Sequence, residues 1–175
     1  MKINNKDKNI VLIGFMGSGK TSVGKRLSLV LKREFIDTDD FIEKREGMTI
    51  NEIFKEKGEE EFRKIERELY KRFSIPKKKI IATGGGVIKN PANIANLKKG
   101  GVIVYLKSSP EKIAQNLKFD NTRPILQVDD KEAKIRELLA QREPFYNKYA
   151  EITIDVSNYD IDHTVDKIIE LAKVW

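Results

Sequence analysis

The chain has 175 residues, 39% hydrophobic and 35% charged, enough for one domain with a sizeable core and a heavily charged surface. It contains no cysteine, which excludes disulfides, thiolate metal sites and cysteine nucleophiles. The formal net charge of +7 is interleaved with acids along most of the chain, as in residues 59–72, which marks solvated helix faces rather than a nucleic-acid surface.

Residues 1–8 are charged and lack the apolar stretch of a leader. The longest apolar run, residues 10–16, is broken by Gly14 and falls far short of the roughly 20 residues that span a bilayer. The expectation is a cytoplasmic protein with no membrane or nucleic-acid partner, and nothing calls for more than a monomer. The first β-rich run is residues 9–13, and Gly14-Phe15-Met16-Gly17-Ser18-Gly19-Lys20-Thr21 follows it. This octet fits G-x-x-x-x-G-K-[ST]. Its glycines let backbone N–H groups turn toward one anion, and the helix that follows adds its positive end. Lys20 suits the β- and γ-phosphates of a nucleotide, and the Thr21 hydroxyl suits magnesium.

Val23, Leu27, Val30 and Leu31 predict a helix after the loop. The second β-rich run, residues 34–37, leads into Asp37-Thr38-Asp39-Asp40. In extended chain Asp37 and Asp39 project to one side. One carboxylate suits a hydrated magnesium ion, the other substrate hydroxyls or the proton of an attacking hydroxyl. Helix capping accounts for Thr38 or Asp40. Two apolar stripes follow, Ile50, Ile53 and Phe54, then Phe62, Ile65, Leu69 and Phe73, with Gly58 interrupting between them. Arg63 lies beside the second stripe.

The third run, residues 79–83, ends in Gly84-Gly85-Gly86, where three glycines let a ligand approach the backbone and its N–H groups. Pro91 and Pro110 mark helix starts on either side of a fourth run, residues 101–106. Residues 118–130 are polar with no strong helical period and read as a flap carrying Arg123. Ile135, Leu138 and Leu139 open a helix that Pro144 is expected to stop just after Arg142. A fifth run, residues 151–155, precedes a last helix on Val165, Ile168, Ile169 and Leu171. His163, the only histidine, suits a surface or capping role, and Trp175 packs back on the core or frays. Three of the β-rich runs are continuously apolar, as in strands buried on both faces of a parallel sheet. Strand alternating with helix predicts a single α/β three-layer domain with ligands at the carboxyl ends of the strands.

The phosphate loop alone fits several proteins. A gluconate kinase or a nucleoside monophosphate kinase shares such a loop, although two acids would repel a phosphorylated acceptor. A nucleotide switch or a nucleic-acid-associated ATPase would have no need of Asp39 or Arg142. Taken together, the octet, Phe35-Ile36-Asp37-Thr38-Asp39, Gly58-Glu59 with Phe62-Arg63 and Glu66, Thr83-Gly84-Gly85-Gly86, Arg123-Pro124-Ile125-Leu126, and Arg142-Glu143-Pro144 with Tyr146 resemble the shikimate kinase family over nearly the whole chain.

The resemblance implies ATP-dependent phosphorylation of the 3-hydroxyl of shikimate, in aromatic amino-acid synthesis. It implies a nucleoside-monophosphate-kinase-like P-loop fold with a five-stranded parallel sheet in order 2-3-1-4-5 flanked by helices. Residues 38–75 would form a substrate-binding helical segment and residues 118–130 a lid. By the same resemblance Met16, Gly17, Ser18, Gly19, Lys20 and Thr21 hold the nucleotide, together with Arg123. Asp39 binds the reacting hydroxyls, and Lys20 and Arg123 stabilise the transferring phosphoryl group. Arg63, Arg142 and the Gly84–Gly86 backbone hold the acceptor. Thr21 ligates Mg2+ directly and Asp37 supports it through water. Seven residues before Arg123, where the family commonly has an adenine-packing arginine, this chain has Asn116. Tyr159 falls where the family's adenine site ends.

Overall fold

Among the described residues five strands, β1 (Asn9–Ile13), β2 (Phe35–Asp37), β3 (Ile80–Ala82), β4 (Gly101–Lys107) and β5 (Ile152–Asp155), form one sheet in the order β2-β3-β1-β4-β5. Every pairing is parallel. The computed structural model describes residues 5–174, so Trp175 lies outside the described residues. The three continuously apolar runs, β1, β3 and β4, take the centre, where both faces are covered, and β2 and β5 take the edges.

Alternation along the strands divides the core into two layers. Val11, Ile13, Ile81, Ile103 and Tyr105 face α2 (Thr38–Glu46), α3 (Ile50–Arg72), α4 (Pro91–Gly100) and α6 (Lys131–Tyr149). Ile10, Leu12, Ile80 and Val104 face α1 (Lys20–Leu31) and α7 (Ile161–Ala172). A short helix, α5 (Pro110–Asn116), follows β4, and Pro91 and Pro110 are the first residues of their helices, as expected. Gly58 does break the regular path: it has φ 83° and ψ 164° inside α3 and kinks the helix between its two apolar stripes.

Two helical expectations are corrected. Pro144 does not stop α6, which runs on to Tyr149 with the proline inside it. Tyr146 and Tyr149 are both buried beyond the proline, and their burial outweighs the one backbone hydrogen bond that proline removes. Leu171 is 48% exposed, and Ala172, fully buried, takes its place on the inner face of α7.

The register sets the site. Asp37 and Leu12 both pair with Ala82, so β1, β2 and β3 end within one residue of one another, while β4 runs two residues past Tyr105, the partner of Ile13. The octet, the acids and the glycine triplet therefore emerge along one edge, across which α3 and α6 lay Arg63 and Arg142. Among the described residues no helix is long and apolar enough to cross a membrane.

Candidate active site

The phosphate loop leaves β1 and enters α1 through Gly17 and Gly19, with φ of 76° and 92°. Residues with a Cβ resist that left-handed backbone. Gly19 is the N-cap of α1 and has no side chain to cap it, so the helix's first N–H groups face the loop's concavity. Lys20 folds over the loop and donates to the Gly14 and Phe15 carbonyls at 2.8 and 3.0 Å. Burial, and then the cation of Arg123, lower its pKa to about 8, against Asp39 and Asp37, which raise it. A phosphate would give this lysine the anion it lacks.

Asp37 does two tasks. Its Oδ1 accepts from the Asp39 and Asp40 N–H groups, so it is the N-cap of α2, and its Oδ2 accepts from the Thr21 hydroxyl at 2.9 Å. The capping residue is thus Asp37 rather than Thr38 or Asp40. Asp39 is not in extended chain beside it but in the first turn of α2, because the cap starts the helix at Thr38. Thr21 and Asp37 supply a hydroxyl and a carboxylate, the hard oxygens that magnesium prefers when phosphates and water complete its shell. This donor set fits that ion.

Asp39 has its pKa raised to about 6, first by burial, then by the charges of Asp37 and Glu66, with Lys20 and Arg123 opposing. A carboxylate so poised sits near the working range of a general base.

The glycine triplet has a reason that the sequence did not disclose. None of the three adopts a positive φ. A Cβ on Gly84 would stand 2.7 Å from Asp39 Oδ1, one on Gly85 3.4 Å from Arg142 Nη1, and one on Gly86 2.6 Å from Arg63 Nη1. Each glycine leaves room for one functional side chain, and the backbone is the wall they share. The Gly84 N–H is not open to a ligand, since it donates to the Thr38 hydroxyl at 3.0 Å. Tyr70, fully buried, shares a 3.4 Å hydrogen bond with that same hydroxyl.

Both arginines rest on aromatic rings. Arg142 lies 5.4 Å from the centre of the Phe15 ring, within the octet, and Arg63 lies 5.2 Å from that of Phe62. Arg63 also donates to Glu66 at 2.9 Å. Glu66 is buried, which raises its pKa, while Arg63 pulls it down. Its place between Ile65 and Leu69, on an apolar stripe, was the available signal that a cation lay against it. Phe15, Thr38 and Tyr70 offered no such signal.

Arg123 precedes a 3-10 turn, Pro124–Leu126, and is close enough to Lys20 to act on its charge. Behind the octet a cleft of about 1040 Å³ runs from Gly17 past Asn116 to Tyr159, whose ring stacks on His163 at 4.4 Å. Ser18 and Ser108 line it, and their hydroxyls are buried with no partner among the described residues. Asn116 donates to the Gly17 carbonyl at 2.8 Å, a bond to the phosphate loop itself.

A parallel sheet with this loop after its central strand, a carboxylate pair after β2 and two guanidiniums over the same edge defines a P-loop small-molecule kinase fold. The shikimate kinase family model matches residues 16–173. A shikimate kinase of Caldanaerobacter subterraneus subsp. tengcongensis is 51% identical over 93% of this chain and 94% of its own length. The structure of an Acinetobacter baumannii shikimate kinase in complex with shikimate matches at TM-score 0.88 and 39% identity, covering 97% of this chain and 95% of that one. A gluconokinase of Sinorhizobium meliloti 1021, at 15% identity and TM-score 0.59, shares the fold alone. The chain belongs to the shikimate kinase family.

Proposed function

We infer that this protein transfers the γ-phosphoryl group of ATP to the 3-hydroxyl of shikimate, giving shikimate 3-phosphate for aromatic amino-acid biosynthesis. One observation carries the reading: a single backbone wall, residues 84–86, brings one carboxylate and two guanidiniums together beside the phosphate loop. An acceptor with one carboxylate and several hydroxyls matches that set, arginines for the anion and an acid for the hydroxyls.

In this reading Met16, Gly17, Ser18, Gly19, Lys20 and Thr21 cradle the nucleotide phosphates, and the cleft toward Tyr159 takes the base. Arg63, Arg142 and the backbone of Gly85 and Gly86 bind the acceptor, and Gly84, whose N–H is taken by Thr38, lines the site beside Asp39. Asp39 orients the reacting hydroxyl and accepts its proton, and Lys20 and Arg123 stabilise charge on the transferring group. Thr21 and Asp37 would hold Mg2+, which when bound neutralises charge on the β- and γ-phosphates. Residues 38–75 act as the substrate-binding segment and residues 118–130 as a lid, in a cytoplasmic monomer that needs no nucleic acid or membrane.

Titration calorimetry with shikimate, with and without ADP, tests acceptor identity directly. Shikimate is expected to bind, and Arg63→Lys to weaken it by about tenfold, because an ammonium cannot reproduce a paired guanidinium contact. Parallel ADP-release assays with shikimate, gluconate and CMP complete the test; turnover with CMP and none with shikimate would reject the reading.

The two shifted groups predict pH limbs. Asp39 must be ionised to accept a proton, so kcat/KM for shikimate is expected to rise through about pH 6. Lys20 must be protonated to meet phosphate, so kcat/KM for ATP is expected to fall through about pH 8. Flat profiles across this range would remove both assignments.

A further inference from the structure

Lys131 is the first residue of α6, where the positive end of the helix dipole disfavours a cation. Its ammonium turns away from that end and reaches back across the whole of residues 118–130. It donates to the carbonyl of Leu117, the C-cap of α5, and at 2.9 Å to that of Asp120. The Leu117 carbonyl stands at the negative end of α5, outside that helix's own ladder, and the Asp120 carbonyl lies three residues further on, inside the flap. The two ends of the flap are thereby joined by one side chain.

The joined end is seated on the phosphate loop. Asn116 donates to the Gly17 carbonyl at 2.8 Å, and the Leu117 side chain lies so close that a Cβ on Gly17 would stand 2.7 Å from it. Asp120 carries the contact onward. Its carboxylate accepts from the Thr122 N–H at 2.8 Å and stands 3.6 Å from Arg123 Nε. A continuous path therefore runs from the loop through Asn116 and Leu117 to Lys131, Asp120 and Arg123. On the far side of Arg123, Leu126 is buried in the core and anchors the other limb of the flap.

We propose that Lys131 and Asn116 are positioning residues for phosphoryl transfer: Lys131 clasps the two ends of the flap, Asn116 seats the clasped ends on Gly17, and together they hold Arg123 over the transferring phosphoryl group. Without the clasp the flap's closed geometry must be paid for in loop entropy at each turnover. The proposal rests on the reading that Arg123 acts on the phosphoryl group.

The test is a double-mutant cycle on the full chain with ATP and shikimate. Lys131→Met is expected to lower kcat by about tenfold, because Arg123 is misplaced rather than removed. KM for shikimate should stay within about twofold, since the acceptor wall is untouched. In an Arg123→Ala background the same substitution should change kcat by less than about twofold, because nothing remains to be positioned. A merely structural role would cost the same in both backgrounds, and that result overturns the clasp. So does a normal kcat in Lys131→Met when Arg123→Ala is slow. An Arg123→Ala enzyme with undiminished kcat instead overturns the role of Arg123, and the purpose of the clasp with it. If Lys131→Met does not fold, Asn116→Ala enters the same cycle; a loss of about threefold that vanishes in the Arg123→Ala background is expected, and equal losses overturn the seat.

Discussion

Asp39→Asn is expected to lower kcat by about 10²- to 10⁴-fold while leaving the protein folded and shikimate binding largely intact. The amide keeps the shape that Gly84 accommodates and can still hydrogen-bond a hydroxyl, but it cannot take a proton. Steady-state turnover, read beside calorimetric binding of shikimate, separates the two. Activity within about tenfold of the parent would mean that the carboxylate orients the hydroxyl without accepting its proton.

The same variant carries a stability prediction whose sign follows from the cause of the shift. Burial and the charges of Asp37 and Glu66 raise the Asp39 pKa from 3.8 to about 6, so the folded protein holds this proton more tightly than the unfolded chain. The ionised carboxylate is therefore a cost to the fold that is absent below pH 3.8, grows between there and about pH 6, and is complete above it. Asp39→Asn should melt at a higher temperature than the parent at pH 8, and the gap should close as the pH falls toward 4. A variant that melts lower at pH 8 would show that the bonds of the carboxylate outweigh its desolvation. Activity held at the expense of stability is common where a buried acid must stay ionised.

The parts of the fold that were legible in the sequence are those fixed by neighbours in the chain. β1, β3 and β4 are continuous apolar runs because both of their faces are covered, and the octet states its own backbone geometry through Gly17 and Gly19. The parts that were not legible depend on partners far away in sequence. Asp37 looked like one of two equivalent acids, yet Thr21 and the start of α2 divide its two oxygens between them. Pro144 looked like a stop, but Tyr146 and Tyr149 beyond it are drawn into the core. Asn116 gave no hint of its bond to Gly17, and Lys131 looked like one more surface lysine among many. The Gly84–Gly86 triplet was legible as a place of close approach, but what approaches includes this chain's own Asp39, Arg142 and Arg63.

That last point makes the triplet the most direct test of the acceptor site after Asp39. Gly86→Ala places a Cβ 2.6 Å from Arg63 Nη1 and 3.0 Å from Nη2, so the guanidinium must give way. It is the far end of a flexible side chain and can move without disturbing the sheet, so the melting temperature should drop by only about a few degrees. The displaced arginine, however, strains its 2.9 Å bond to Glu66 and loses its aim at the acceptor carboxylate. Misplacing such a clamp by about 1 Å is expected to raise KM for shikimate by up to about 10²-fold, with kcat changed far less. Gly84→Ala meets Asp39 Oδ1 at 2.7 Å instead, so it should lower kcat and leave KM for shikimate nearly unchanged. Adjacent glycines, each changed by the same single methyl group, are thus expected to damage different kinetic parameters. If both substitutions moved kcat and KM together, the wall would be a common structural support and not a set of separate seats for Asp39 and Arg63.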